Sequence, residues 1–335
     1  MLVVAAPDKF RGTATAAEVA AAVARAVEAA GGTCDEAPIA DGGEGTLEAL
    51  GGAVRTATVR GPLGDAVTAE WRVQAGGTAV VEMARASGLA LVGGAAGNDP
   101  LRASTAGTGE LIAAAIDAGA RRVVVGAGGS ASTDGGLAAL TALNPGRRLH
   151  GVELLVACDV ETLFVDAAEV FAPQKGATPA QVALLRRRLE RLAQIYVRDY
   201  GVDITQEPGS GAAGGLAGGL AAAGARLVPG FDLVAEALGL AERIAAAGLV
   251  VTGEGTLDAE SFEGKAVGGV VDLASAAGVD VLVVAGDVLA GELPELPASV
   301  QVVSLVARFG RERAMADAGG CAGEVVESAL RERYR

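Results

Sequence analysis

Gly126-Ala127-Gly128-Gly129-Ser130-Ala131-Ser132-Thr133-Asp134-Gly135-Gly136 is the stretch that decides the fold. The apolar run 122–125 before it reads as a buried strand, and residues 137–143 after it read as the start of a helix. A strand, a glycine-rich turn carrying hydroxyls and one carboxylate, and then a helix together present backbone N–H groups to an anion. No Gly-x-x-x-x-Gly-Lys-Ser/Thr occurs here, so the P-loop reading fails. The spacing Gly-x-Gly-x-x-Gly is not met at residues 126–131 either, which disfavours a nicotinamide dehydrogenase.

Similar units recur outward from this turn. Residues 2–6 form an apolar strand that runs into Pro7-Asp8-Lys9-Phe10-Arg11-Gly12, and Thr15-Ala16-Ala17-Glu18 is a capping box that opens a helix. Asp8, Lys9 and Arg11 thus fall at the carboxyl end of a strand, where open α/β sheets bind ligands; a solvated turn is the alternative. Asp41-Gly42-Gly43-Glu44-Gly45-Thr46 sets two carboxylates among three glycines, which suits close backbone approach and a magnesium ion or a hydroxyl. Residues 54–60, 66–73 and 78–83 read as consecutive strands joined by Gly/Pro turns, so they should pair largely antiparallel. Asp159 follows the strand 152–157, and Lys175 sits in a Pro/Gly frame. Thr178, with Pro179 behind it, caps a long amphipathic helix to residue 200.

Residues 208–215 open a helix so small-sided that another helix or a nucleotide must pack very close. Asp232 is expected to cap a helix to residue 247. A strand at 248–251 then leads into Thr252-Gly253-Glu254-Gly255-Thr256-Leu257-Asp258, with Gly264-Lys265 before a further helix at 266–276. Strands at 280–285 and 300–306 and a last helix from about residue 311 complete the chain. Alternating β/α texture therefore occupies residues 1–60 and 232–335, and the expected architecture is one discontinuous α/β domain with an inserted α/β domain of mixed sheet at 61–231.

Composition narrows the function. A chain of 335 residues can bury two substantial cores, and with 3% aromatics those cores must be built from Ala, Val and Leu. A net charge of −14 argues against nucleic acid and anionic membranes as partners. A phosphorylated ligand is still open to it where lysines, amides and a divalent cation converge. Cys34, Cys158 and Cys321 are odd in number and include no Cys-x-x-Cys, which points to reduced thiols and a cytoplasmic protein. The chain starts directly on a strand, so no signal peptide is expected. Residues 210–225 are too short and too closely bounded by Glu207 and Arg226 for a membrane span. His150 is the only histidine and lies in a turn beside Arg147 and Arg148, which argues against a His-dependent triad.

The motifs 6–12, 40–46, Glu82-Met83-Ala84-Arg85-Ala86-Ser87-Gly88-Leu89, 128–136, 157–160, 173–177, 209–215 and 252–265 fall in the order found in the bacterial type I glycerate kinases, which the chain resembles over nearly its whole length. The resemblance implies a flavodoxin-like domain carrying an inserted domain, with ATP and Mg²⁺ used to phosphorylate D-glycerate to 2-phosphoglycerate. It implies catalytic roles for Asp8, Asp41, Lys175 and Lys265, and substrate contacts from Lys9, Arg11, Gly42, Gly43 and Glu44. It places nucleotide contacts at Gly128, Gly129, Ser130, Gly209, Ser210, Gly211, Gly253 and Glu254, and metal ligands at Asp134, Asp159 and Asp258. These groups are expected to meet in one cleft between the domains, and a homodimer is left open. The chain departs from the family pattern at Lys9, Arg11, Thr133, Thr256, Glu260 and Ser261, and its 143–165 region is short. Those departures leave open a kinase for another small hydroxy or sugar acid, and a degenerate small-acid binding protein.

Overall fold

The computed structural model describes residues 1–262, 265–289 and 293–333. In chain order the strands are β1 (Leu2–Pro7), β2 (Thr33–Glu36), β3 (Ala53–Arg60), β4 (Ala66–Val73), β5 (Thr78–Glu82), β6 (Arg122–Gly126), β7 (Glu153–Ala157), β8 (Arg226–Val228), β9 (Leu249–Leu257), β10 (Val281–Val288) and β11 (Val300–Ser304). The chain divides into two compact units, residues 1–41 with 231–335, and residues 42–230.

In the first unit the described strands form a parallel sheet in the order β11-β10-β9-β1-β2. This is the flavodoxin-type order, with its switch point between β1 and β9. The sheet is buried on both faces because alternate side chains of each strand find a separate apolar layer. Val3 and Ala5 join the layer of Val19, Val23, Val325 and Val326. Val4 and Ala6 join that of Ile39, Ile244, Val267 and Val270. Thr15 and Glu18 make the expected reciprocal cap at the start of the helix Ala16–Ala29.

In the second unit the sheet order is β3-β4-β5-β6-β7-β8. The first two pairings are antiparallel and the rest parallel, so the sheet is mixed as expected. Its core runs from Trp71 through Ile112, Val125 and Leu143 to Tyr196 and Leu216. Thr178 and Gln181 cap the helix Pro179–Tyr200 reciprocally, with Pro179 in its first turn.

Several boundaries differ from the sequence reading. The first crossing between units falls at 41/42 and not after residue 60, because β3 pairs along its whole length with β4, from Ala53↔Val73 to Arg60↔Ala66. Asp232 lies in the first turn of the helix Gly230–Leu238 and does not cap it. Left-handed Gly239 separates that helix from Leu240–Ala245. β9 continues through Gly253, Glu254 and Gly255, which the sequence had suggested were a loop. The small-sided segment 209–219 packs on protein: Gly214 lies on the backbone of Ser132 and Thr133, and a Cβ on Gly215 would stand 2.9 Å from the Phe164 ring. Gly264 lies outside the described residues. No described helix is long and apolar enough to cross a membrane.

Candidate active site

In the second unit β5 and β6 end side by side, with Glu82 in register with Gly126. The turn after β6 is held on one side by Leu89 N donating to Gly129 O (2.8 Å) and Ala131 N donating to Ser87 O (3.0 Å). The segment 42–47 lies on its other side. A Cβ placed on Gly126 would stand 2.7 Å from Gly42 O, and one on Gly128 would stand 2.8 Å from Gly43 Cα, so these two positions admit only glycine. Two motifs more than 80 residues apart in sequence are thus in backbone contact.

Most amides here are already used. Gly45 N and Leu47 N donate to Glu82 Oε1 at 2.8 and 2.9 Å, and Thr46 N donates to Gly43 O. The N–H groups of Glu44, Gly128, Gly129 and Ser130 have no protein acceptor among the described residues. A Cβ on Gly128 would stand 3.4 Å from Glu44 N, so the unspent amides of the two turns are neighbours. Adjacent unspent backbone donors favour an anion.

Lys175 adds a cation to this floor. Its side chain is 3% exposed, and Nζ donates to Ser130 Oγ (2.7 Å) and Ser132 O (2.6 Å). Burial pushes the ammonium down to about 7, while Asp134 works the other way. Asn98 Nδ2 donates to both Ala131 O and Lys175 O, which fixes the lysine's backbone to the turn. Among the described residues the hydroxyls of Ser132, Thr133 and Ser210 are buried with no protein partner. Buried polar groups are normally satisfied, so three orphans on two contacting segments fit a polar ligand or ordered water.

Asp134 is committed to the protein. It accepts from Thr105 N (2.9 Å), Thr105 Oγ1 (2.8 Å) and Gly136 N (3.1 Å), and burial raises its pKa. Thr105 Oγ1 in turn accepts from Ala139 N, so this carboxylate ties three segments together. Gly209, Ser210 and Gly211 differ from the expected phosphate cradle: Ser210 N donates to Glu207 O and Gly211 N to Thr162 O. The glycine at 211 is required because a Cβ would overlap Leu163 O. Asp159 Oδ1 accepts from Gly230 N at 2.5 Å.

The first unit gathers a separate set at the switch point between β1 and β9. Asp8 N donates to Gly253 O (2.8 Å), which seats the carboxylate just past β1. Lys9 Nζ lies 3.5 Å from Asp8 Oδ2 and 3.6 Å from Asp41 Oδ1. Burial moves the Asp8 carboxyl up to about 6; Lys9 opposes that shift and Asp41 adds to it. Burial acts against the Lys9 charge, but Asp41 and Asp8 outweigh it and raise that pKa. Glu254, at the end of the same switch point, is also pushed up to about 6, by burial first and by Asp8 and Asp258 among its neighbours. Among the described residues its Oε1 is buried without a hydrogen-bond partner, while a hydrogen bond from Ser261 to the carboxylate opposes the shift. Two carboxyls poised near neutrality beside a lysine can take a proton from a hydroxyl.

Other expected site residues of this unit have plainer surroundings. Gly253 is a strand residue whose Cβ would overlap Val284 O, so packing against β10 requires it. Asp258 Oδ1 accepts from Ser261 N and Oγ in a local turn. Lys265 Nζ pairs with Glu260 at 2.9 Å. The backbone of Arg11 passes Gly255, where a Cβ would stand 3.0 Å from Arg11 N.

Among the described residues no three His, Cys, Asp or Glu side chains gather to hold a metal ion. Within their own units Asp134, Asp159 and Asp258 each accept hydrogen bonds from nearby backbone or hydroxyl donors. Magnesium in phosphoryl-transfer sites keeps several waters and takes few protein ligands. The sequence reading gave no site role to Glu82, Ser132 or Thr133, and read Thr105 as part of a capped helix start or a binding turn. Glu82 carried one signal, an acid closing the otherwise apolar strand Thr78-Ala79-Val80-Val81. The hydroxyls carried none.

Comparison with known proteins agrees with this site-bearing α/β architecture. The glycerate kinase family model matches residues 3–147 and 144–332. An uncharacterized protein of Mycobacterium tuberculosis is 43% identical over 302 residues, spanning 86% of this chain and 79% of its own. The glycerate 2-kinase of Escherichia coli is 38% identical over 325 residues, spanning 85% of each chain. A crystal structure from Salmonella typhimurium LT2, assigned as glycerate kinase 2, superposes with a TM-score of 0.81 at 32% identity and covers 100% of both chains. With the family model and these relatives spanning both units, the chain belongs to the glycerate kinase family and is an enzyme of that family.

Proposed function

We propose that the enzyme transfers the γ-phosphoryl group of ATP, in the presence of Mg²⁺, to D-glycerate and forms 2-phosphoglycerate. The observation that carries this reading is the set of unspent amides at Glu44, Gly128, Gly129 and Ser130, with Lys175 bonded to that same turn. Phosphoryl transfer needs chiefly positioning and charge neutralisation, and preorganised donors supply both. In this reading the amide floor and Lys175 hold phosphate oxygens. Lys9 and Arg11 meet the glycerate carboxylate, while Asp8, Asp41 or Glu254 accepts the hydroxyl proton. Asp41 and Gly42 are consecutive in sequence and belong one to each unit.

ADP release measured with D-glycerate, ATP and Mg²⁺, followed by phosphorus NMR of the product, tests the proposal. Turnover giving the 2-phosphate ester supports it. The 3-phosphate ester would correct the position. No ADP from D-glycerate, alongside turnover of another hydroxy or sugar acid, would reassign the substrate, and binding of D-glycerate with no ATP consumption would overturn the reading.

A further inference from the structure

We propose that Glu82 is a positioning residue that fixes the segment 42–47 on the turn 126–130, so that two glycine loops from distant parts of the sequence form one preorganised anion floor. The inference deepens the function proposed above and rests on that reading for its kinetic consequence.

Glu82 ends β5, is 1% exposed, and points a single oxygen at two amides of the segment, Gly45 N and Leu47 N. Its other oxygen accepts from Arg85 Nε at 3.1 Å, and Arg85 also bonds Glu48 Oε1 at 2.7 Å. Burial raises the Glu82 pKa, and the Leu47 amide and Arg85 oppose that shift. A buried carboxylate is expensive unless its hydrogen bonds are made, and these bonds are made to the backbone of one loop. The short helix Thr46–Leu50 has no side-chain cap of its own, since its N-cap is left-handed Gly45. Glu82 supplies that cap from a different strand. It thereby fixes the direction of the chain leading into Thr46 and leaves Glu44 N beside Gly128. Among the described residues no other side chain bonds the amides of Gly45 and Leu47, and the neighbouring glycines give the loop wide conformational freedom.

Hydrogen exchange on the full chain reads the anchor directly. Glu82→Ala is expected to speed exchange at Gly45 and Leu47 at least tenfold, and Glu82→Gln, which keeps an acceptor oxygen, should restore most of the protection. If the alanine variant does not fold, Glu82→Asp, shorter by one methylene, takes its place. Steady-state kinetics then read the floor: kcat/KM for D-glycerate should fall at least thirtyfold in Glu82→Ala and recover at least half of that loss, on a logarithmic scale, in Glu82→Gln. Leu143→Ala, a truncation in the buried core of the same unit, is the matched control. It should lower the melting temperature and leave kcat/KM of the folded enzyme within twofold. Unchanged protection at Gly45 and Leu47 in Glu82→Ala, or a kinetic loss no larger than that of Leu143→Ala, would overturn the proposal. A wild-type enzyme inactive on D-glycerate would instead reject the substrate assignment, and the exchange data alone would then decide the role of Glu82.

Discussion

Replacing Lys175 with methionine separates what the buried amine does for stability from what it does for the reaction. In the unfolded chain its pKa is the ordinary 10.5, and in the fold burial brings it to about 7. The folded state therefore binds fewer protons between those values, so stability is lowest below about pH 7 and rises as pH climbs from about 7 to about 10.5. At pH 7 this linkage costs the fold about 4 kcal/mol. Met removes that cost, keeps the stem's packing, and leaves Ser130 Oγ and Ser132 O without their donor, a loss of about 1–3 kcal/mol per stranded group. The two effects nearly cancel, so Lys175→Met should fold and melt within a few degrees of wild type at pH 7. Raising the pH to 9.5 should stabilise wild type by about 3 kcal/mol more than the variant. Turnover should behave quite differently. Loss of one preorganised donor to a transferring group is expected to lower kcat by about 10²–10³. Melting curves at the two pH values with steady-state rates at pH 7 make the measurement. A variant with kcat within threefold of wild type, or a wild-type stability no more pH-dependent than the variant's, would refute the reasoning.

With Asp8 and Glu254 both at about 6, kcat/KM should rise about tenfold per pH unit below 6 and level off above it, because the base must be unprotonated; Asp8→Asn or Glu254→Gln should remove that limb, and an identical profile in both variants would discard both acids. Gly253→Ala should destabilise the first unit by several kcal/mol, since its Cβ would overlap the Val284 carbonyl inside the sheet; chemical denaturation checks this, and a wild-type midpoint would show that the strand yields. Thr178→Ala should cost about 1 kcal/mol through loss of the cap on the helix Pro179–Tyr200, read as a lower denaturation midpoint with unchanged kcat.

Local rules made much of this molecule legible. The capping boxes at Thr15 and Thr178 fix two helix starts from four residues each, because an orphan amide must find a side-chain oxygen within one turn. β1, β5, β6 and β7 announce themselves as apolar runs, and β6 leads straight into a glycine turn. β2 and β8 do not. Thr33-Cys34-Asp35-Glu36 and Arg226-Leu227-Val228 are short sheet-edge strands with polar content, and only pairing with β1 and β7 makes them strands. The unit boundary was misplaced for the same reason: β3 is a strand of the second unit through its partner β4, and its own residues do not say so.

The site divides along a similar line. Glycine and acid motifs in sequence mark where backbone comes close, yet they do not distinguish a donor that is spent from one that is free. Residues 209–211 and 128–130 look alike as text. In the fold the amides of Ser210 and Gly211 are consumed by Glu207 and Thr162, and the glycine at 211 is there to clear Leu163. Those of Gly128 to Ser130 are left over because the turn pairs with 87–89 only through Gly129 O and Ala131 N, and the 42–47 loop on its other side is tied down by Glu82. The difference is one of accounting across the whole tertiary structure, since each amide's availability depends on acceptors many residues away. It also bears on how a chain with net charge −14 can favour an anion. Amide dipoles fixed by the fold carry no net charge and need no counter-ion, so a floor of unspent N–H groups with one buried lysine concentrates positive potential where a phosphate would lie without changing the acidic surface around it.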